Sequence, residues 1–166
     1  GSSVSLSKKI LSRGSRNLRV AAGNTLVKIG TPAVEALTVA LHNANKDVRF
    51  NAARALGEIR DVRAVEPLLD LLRDQNRTVR LASARSLGFI RDVRAVEPLC
   101  QALGDRARMV RNYVAWALGE IGDERAVAPL QKAYKHALME GDLSGQFAIN
   151  AAIEEIESAR YRKYRE

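Results

Sequence analysis

The sequence predicts an all-α protein, a solenoid of stacked helical hairpins. Two observations carry this prediction. A segment of the chain recurs with a period of 31 residues, and apolar residues within each copy follow the 3.6-residue spacing of a helix. Val48-Arg49 returns as Val79-Arg80 and Val110-Arg111. Further positions recur at the same offset, namely Leu56, Gly57, Ile59, Asp61, Arg63, Pro67 and Leu68 in the first of these copies.

Each copy is predicted to form two amphipathic helices joined by a tight turn. Apolar residues fall at positions 48, 52, 56 and 59, and again at 65, 68 and 72. Asp61 can cap the second helix, and Pro67 falls early enough in that helix to be tolerated. Small residues at Ala53 and Gly57 would let neighbouring helices approach closely. One hairpin cannot bury its own apolar stripe, so the hairpins stack and share a core.

The predicted organisation is a single repeat domain over residues 1–166. It begins with an N-terminal half repeat at 1–17 and ends with a C-terminal capping helix at 143–166. Four repeats lie between them, at 18–47, 48–78, 79–109 and 110–142. The first repeat is degenerate because one residue is missing near Pro32. Terminal units of a solenoid are atypical because only one of their faces is covered by a neighbour.

The fullest copy resembles a known repeat family. Val48 to Leu68 reads Val-Arg-x-x-Ala-Ala-x-Ala-Leu-Gly-x-Ile-x-Asp-x-Arg-Ala-Val-x-Pro-Leu, which is similar to the HEAT-like repeat of phycobilisome lyases. The resemblance covers roughly residues 6–160. It implies a right-handed superhelix whose concave side is lined by the helices that begin with Val-Arg. It does not fix a function, since the repeat occurs in bilin lyase subunits, scaffolds and adaptors alike.

The copies differ along one face of the first helix of each unit. Constant positions serve stacking, whereas changing positions are free to serve a ligand. Residues four apart project from the same side of a helix. We call these changing positions the variable stripe and predict that they bind a partner: Phe50, Asn51, Arg54 and Glu58, then Leu81, Arg85 and Phe89, then Asn112, Tyr113, Trp116 and Glu120. Phe147, Asn24 and Lys28 would extend the stripe at its ends.

The composition of the variable stripe favours binding over a merely solvated face. It holds four of the chain's eight aromatic residues, and aromatic residues and arginine anchor interfaces. Trp116 takes the place of Arg54 and Arg85, so the core does not require an aromatic ring there. The alternative is ordinary packing of large side chains under the curve. We expect the aromatic rings to anchor a partner and the arginines to pair with its acids.

Three functions are compatible with these features. The first is a non-enzymatic scaffold that binds a protein partner in its concave groove. The second follows from the resemblance: a bilin lyase subunit whose groove receives a linear tetrapyrrole or a phycobiliprotein, with Arg54 and Arg85 holding propionates. The third is nucleic-acid binding, because the net charge is +8 and residues 1–30 carry six of the basic residues and no acid. Glu58 and Glu120 on the stripe would repel phosphate.

The sequence favours no chemistry of its own. His42 and His136 are isolated, so no metal site and no cofactor are expected. No nucleophile stands beside a base, and no catalytic residue is assigned. Cys100 takes the place of Leu69 and is predicted to be a core thiol. Because no apolar run approaches the length of a membrane span, we expect a cytoplasmic protein without a membrane partner.

Overall fold

The computed structural model describes residues 2–13 and 16–163, and within them every regular element is helical. The α-helices are α1 (Ser2–Arg13), α2 (Arg16–Ile29), α3 (Val34–Ala40), α4 (Lys46–Ile59), α5 (Val65–Leu71), α6 (Arg77–Ile90), α7 (Val96–Ala102), α8 (Arg108–Ile121), α9 (Val127–Met139) and α10 (Leu143–Lys163). The predicted all-α solenoid is confirmed. Parts of the predicted end units, namely residues 1, 14–15 and 164–166, lie outside the described residues.

The helices form two layers, and their unequal packing sets the curvature. Helices α2, α4, α6, α8 and α10 pack side by side in one layer, and α3, α5, α7 and α9 form the other. Open spaces of about 390 Å³ and about 620 Å³ separate α5 from α7 and α7 from α9. A stack that is tight on one side and splayed on the other bends towards the tight side. The layer of α4, α6, α8 and α10 therefore lines the concave face.

The repeated glycine is required by the contact between concave helices. A Cβ added at Gly57 would lie 2.7 Å from the Cα of Ser86, and one at Gly88 would lie 3.0 Å from the Cα of Ala117. A Cβ added at Gly119 would likewise lie 3.0 Å from the Cα of Ala152 in α10. The expectation that small residues allow close approach is confirmed. Close packing of helices through glycine keeps the concave layer tight.

In the three full repeats the turn within the hairpin is capped by its aspartate. Asp61 was predicted to cap the second helix, and it caps the short 3₁₀ helix Val62–Ala64 that leads into α5. In the degenerate first repeat Gly30 holds this place. The Asp61 carboxylate accepts a hydrogen bond of 2.9 Å from the backbone N–H of Arg63. The Arg63 guanidinium also donates to Asp61. The side-chain and backbone hydrogen bonds from Arg63 lower the pKa of Asp61 to about 2. Asp92 and Asp123 repeat this arrangement with Arg94 and Arg125.

The constant arginine of each repeat pairs with an aspartate of its own repeat and donates to a backbone carbonyl of the preceding repeat. Arg49 forms two hydrogen bonds with the Asp74 carboxylate, of 2.7 and 3.0 Å, and donates to the carbonyl of Asn43. Arg80 pairs with Asp105 in the same geometry. The structure thus contains a series of partly to fully buried pairs, Arg49–Asp74 and Arg80–Asp105, beside the local Asp61–Arg63 series.

We expect the protein to lose stability in acid through its capping aspartates. The ordinary pKa of Asp61 is 3.8, and folding lowers it to about 2. The folded chain therefore binds this proton more weakly than the unfolded chain, and the stabilisation is present above 3.8 and is lost as the pH falls towards 2. Thermal unfolding followed by circular dichroism should show the midpoint falling across this range. Asp61→Asn keeps an oxygen acceptor at the cap and should reduce the fall, whereas an unchanged acid profile would contradict this assignment.

The interior follows the repeat pattern. Leu56, Leu87 and Leu118 are fully buried, as their constant positions predict. Cys100 packs half-buried against the core, and burial together with the nearby Glu97 and Asp123 raises its pKa to about 11. The thiol is therefore protonated at neutral pH. None of the helices in the described ranges is long and apolar enough to cross a membrane.

Candidate partner-binding surface

An aromatic cluster lies at the centre of the concave face. We use this name for Phe89 of α6 with Tyr113 and Trp116 of α8. The Trp116 ring meets Phe89 edge to face, with centroids 5.3 Å apart, and meets Tyr113 at 6.4 Å. All three rings are half-buried. Such edge-to-face pairs fix the orientation of the rings, so the cluster presents a preformed apolar surface.

Two arginines cover the edge of the aromatic cluster. The guanidinium carbons of Arg85 and Arg60 lie 5.0 and 5.7 Å from the centroid of the Phe89 ring. Both side chains belong to exposed residues. These distances are typical of cation–π contacts. The arginine charge therefore remains accessible beside an apolar surface, an arrangement suited to an interface.

Sequence comparison between copies missed Arg60 and Arg91, although a signal was present. Both residues end their helices in the left-handed conformation, each with a φ of 59°, and Gly122 holds the equivalent place after α8. Glycine is the residue that this conformation favours. For an arginine this backbone conformation is unfavourable, and contacts made by the side chain offset the cost. Arg60 covers Phe89, and Arg91 forms an ion pair with Glu120.

The N-terminal part of the variable stripe is internally paired. Arg54 forms an ion pair with Glu58 one turn away, and its other nitrogen donates to Asn24 of α2 at 2.7 Å. Only 21% of the Arg54 side chain is exposed. Its charge is largely neutralised by Glu58. We therefore place Arg54 at the edge of the surface and assign the accessible positive charge to Arg85.

Several predicted site residues lie deeper than the helical register suggested. Asn51 is 3% exposed, and its amide donates to the carbonyl of Asp47, so it belongs to the helix contact. Asn112 donates to Ser144 of α10 at 3.2 Å. Phe50 and Leu81 pack half-buried against the core. Trp116 also packs on α6, because its ring would lie 2.6 Å from a Cβ at Gly88.

The face continues onto α10, where Phe147 is 80% exposed. An open depression of about 370 Å³ lies between α8 and α10 and is bordered by Trp116, Phe147, Glu120 and Glu155. The remaining lining is glycine and alanine. In the part of the chain that the structure describes, no cluster of His, Cys, Asp and Glu has the makings of a metal site.

A stack of hairpins with constant contacts and a variable concave face defines the class of α-solenoids that present an interaction surface. The family model of HEAT repeats matches residues 4–88 and 65–138. The chain therefore belongs to the HEAT-repeat family. No curated protein sequence matches it.

Solved structures agree with this assignment. The chain is similar to a structure of the CpcE and CpcF complex of phycocyanin lyase from Nostoc sp. PCC7120, with 27% identity and a TM-score of 0.76 over 92% of this chain. It spans 64% of that lyase chain. An engineered protein matches with 24% identity and a TM-score of 0.67 over 93% of this chain and 79% of its own. A designed armadillo repeat protein in complex with a peptide matches with 19% identity and a TM-score of 0.68. The match covers 90% of this chain and 80% of the designed chain. The predicted resemblance to the HEAT-like repeats of phycobilisome lyases is confirmed.

Proposed function

We propose that this protein is a non-enzymatic scaffold that binds a segment of a partner protein on its concave face. The observation that carries the proposal is the placing of the aromatic cluster beside Arg85 and the exposed Phe147. Stacking does not require the rings of the aromatic cluster, because the positions of Phe89, Tyr113 and Trp116 hold different side chains in other repeats. Aromatic rings and arginine are also the side chains that contribute most to protein interfaces.

The concave face is better suited to a partner than the outer layer. The exposed positions of α5 and α7 are mainly polar and charged, such as Glu66, Asp70 and Glu97. The spaces between the outer helices arise from their splayed packing. A partner segment lying along the concave face would instead cross several repeats at once and contact each of them. Such a contact combines small contributions over a large area.

A second candidate is supported by the similarity to the phycocyanin lyase chains. On that alternative the concave face receives a linear tetrapyrrole or the protein that carries it, and Arg85 pairs with a propionate. Arg54 is less suited to this role than the sequence suggested, because Glu58 neutralises it. Incubation with a free bilin, followed by gel filtration with detection of visible absorbance, tests this alternative. Co-elution of the bilin with the protein would favour it over the scaffold.

The scaffold proposal is tested with two matched double variants. Arg85→Ala with Phe147→Ala removes an arginine and a large apolar side chain from the concave face, and Arg73→Ala with Leu138→Ala does so on the outer layer. All four residues are exposed, so both variants should keep the wild-type unfolding midpoint. We expect the concave variant to weaken binding of a captured partner by about 2 kcal/mol, or roughly 30-fold.

The outer variant is the control for this experiment. Its affinity for the same partner should stay within about twofold of wild type, because surface changes away from an interface are mild. Partners would be captured with wild-type protein, identified by mass spectrometry and then titrated by calorimetry against each purified variant. Equal affinities for the two variants would contradict a concave interface, and selective loss in the outer variant would move the interface to the other face.

A further inference from the structure

The depression between α8 and α10 owes its shape to two alanines. Ala152 packs on Gly119 as Ala117 packs on Gly88, which fixes the register of α10 against α8. In this register Ala151 takes the place of Trp116, and Ala148 takes the place of Tyr113. α10 thus lacks the two rings that α8 carries at these positions. Their absence leaves the space of about 370 Å³ beside the Trp116 ring.

The walls of this depression combine aromatic surface with negative charge. Trp116 and Phe147 supply the aromatic surface, and the charged groups in the lining are the carboxylates of Glu120 and Glu155. Their cationic partners are outside the lining. Arg91 pairs with Glu120, and the two side chains are 61% and 26% exposed. Arg162 lies 3.4 Å from Glu155 in a pair whose side chains are 70% and 59% exposed. The Arg162–Glu155 pair is exposed on both sides, and such ion pairs contribute little and rearrange readily.

This combination discriminates between classes of side chain. A carboxylate or phosphate would meet two carboxylates of its own sign. A short apolar side chain would fill the space without using either carboxylate. A lysine or arginine places its aliphatic stem against the rings and its charge near the carboxylates. Aromatic faces attract the same charge through their electron density.

We propose that this depression is a subsite for a lysine or arginine side chain of the bound partner segment. The proposal rests on the proposed function and adds a specificity to it, since it assigns a basic residue to the α10 end of the concave face. The α6 part of the face, where Arg85 and Arg60 lie over Phe89, has the opposite sign. A bound segment is thereby oriented, with its basic side chain towards α10.

Trp116 reports directly on occupancy of the subsite, because it is the single tryptophan of the chain. The probes are short acetylated and amidated peptides, identical except for one central residue that is arginine, lysine, citrulline or glutamate. Citrulline keeps the shape of arginine and removes its charge. We expect the arginine and lysine peptides to shift Trp116 emission and to bind at least about tenfold more tightly than the citrulline peptide. The preference should shrink as salt is added.

Matched variants separate this subsite from general acidity of the protein. Glu120→Gln with Glu155→Gln should remove the preference for arginine over citrulline. Glu97→Gln with Glu157→Gln makes the same charge change away from the depression and should keep it. Glu155→Gln alone serves if the first double variant unfolds, and it should lower the preference at least about threefold. Ala151→Leu should weaken all the peptides by filling the space.

Two results would overturn the subsite. One is equal affinity for the arginine and citrulline peptides, and the other is an unchanged Trp116 emission with every peptide. Neither result bears on the binding of a natural partner by the concave face, which the Arg85 and Phe147 variant measures. Conversely, a basic peptide that binds with the expected preference would keep the subsite even if that natural partner contacts another surface.

Discussion

Replacing Arg80 by Ala should lower the free energy of unfolding by about 3 to 5 kcal/mol. The Arg80 and Asp105 side chains are 5% and 9% exposed, and two hydrogen bonds join them. Arg80 also donates to the carbonyls of Asp74 and Gln75. Its removal leaves a buried carboxylate without its counter-charge and the Asp74 carbonyl without this donor, whereas the Gln75 carbonyl keeps a hydrogen bond from Arg106. Urea unfolding followed by circular dichroism would measure the loss.

Two controls identify the cause of the expected loss. Arg125→Ala removes an arginine that also pairs with an aspartate, but its side chain is 64% exposed, so the cost should stay within about 1 kcal/mol. Arg80→Met with Asp105→Leu removes both charges and replaces them with apolar volume. It should recover most of the stability lost in the single variant. A single variant as mild as Arg125→Ala would show that the contacts of Arg80 do not stabilise the fold.

The fold was predictable because the repeats act as an internal alignment. Gly57, Gly88 and Gly119 recur at one register, and the structure gives each the same close contact with the next concave helix. Asp61 and Pro67 recur for local reasons, since the aspartate caps the short 3₁₀ helix Val62–Ala64 and the proline lies in the first turn of α5, which follows directly. Features with a local cause, or with a cause repeated in every unit, leave a periodic trace in the sequence.

The partner of the constant arginine left only an incomplete trace, since Asp74 and Asp105 are 31 residues apart but the third copy has no aspartate at that offset. Arg49 and Arg80 reach an aspartate 25 residues ahead, whereas Arg111 reaches Asp142, which lies 31 residues ahead. The difference arises because α9 has 13 residues and α7 has 7. Asp142 thus pairs with the constant arginine of its repeat although it lies at a different position in the repeat. Each arginine pairs with an acid that is close in space, and a fixed sequence spacing does not identify that acid in every repeat.

The sequence indicated which side of each helix forms the candidate surface, but it did not indicate how deeply each side chain is buried. Asn51, Ala82 and Tyr113 share one register, yet the first two are 3% and 4% exposed while the Tyr113 ring is half-buried. Helical spacing states which way a side chain leaves its helix. Whether that side chain reaches solvent depends on its length and on the side chains of the adjacent helix. The stripe therefore included Asn51, which lies in the helix contact.

Leu87→Ala should lower the free energy of unfolding by about 2 to 5 kcal/mol. Leu87 is fully buried in α6, and α4 and α8 pack on either side of that helix. Neighbouring repeats hold the walls of the resulting cavity apart, so the structure cannot close around it. Leu138→Ala deletes the same atoms from a residue that is 58% exposed and should cost no more than about 0.5 kcal/mol. In urea titrations of both variants, the free energy of unfolding should fall with urea concentration at the same slope as in the wild type. A loss below about 0.5 kcal/mol at Leu87 would reverse the assignment of buried and open faces in the repeat.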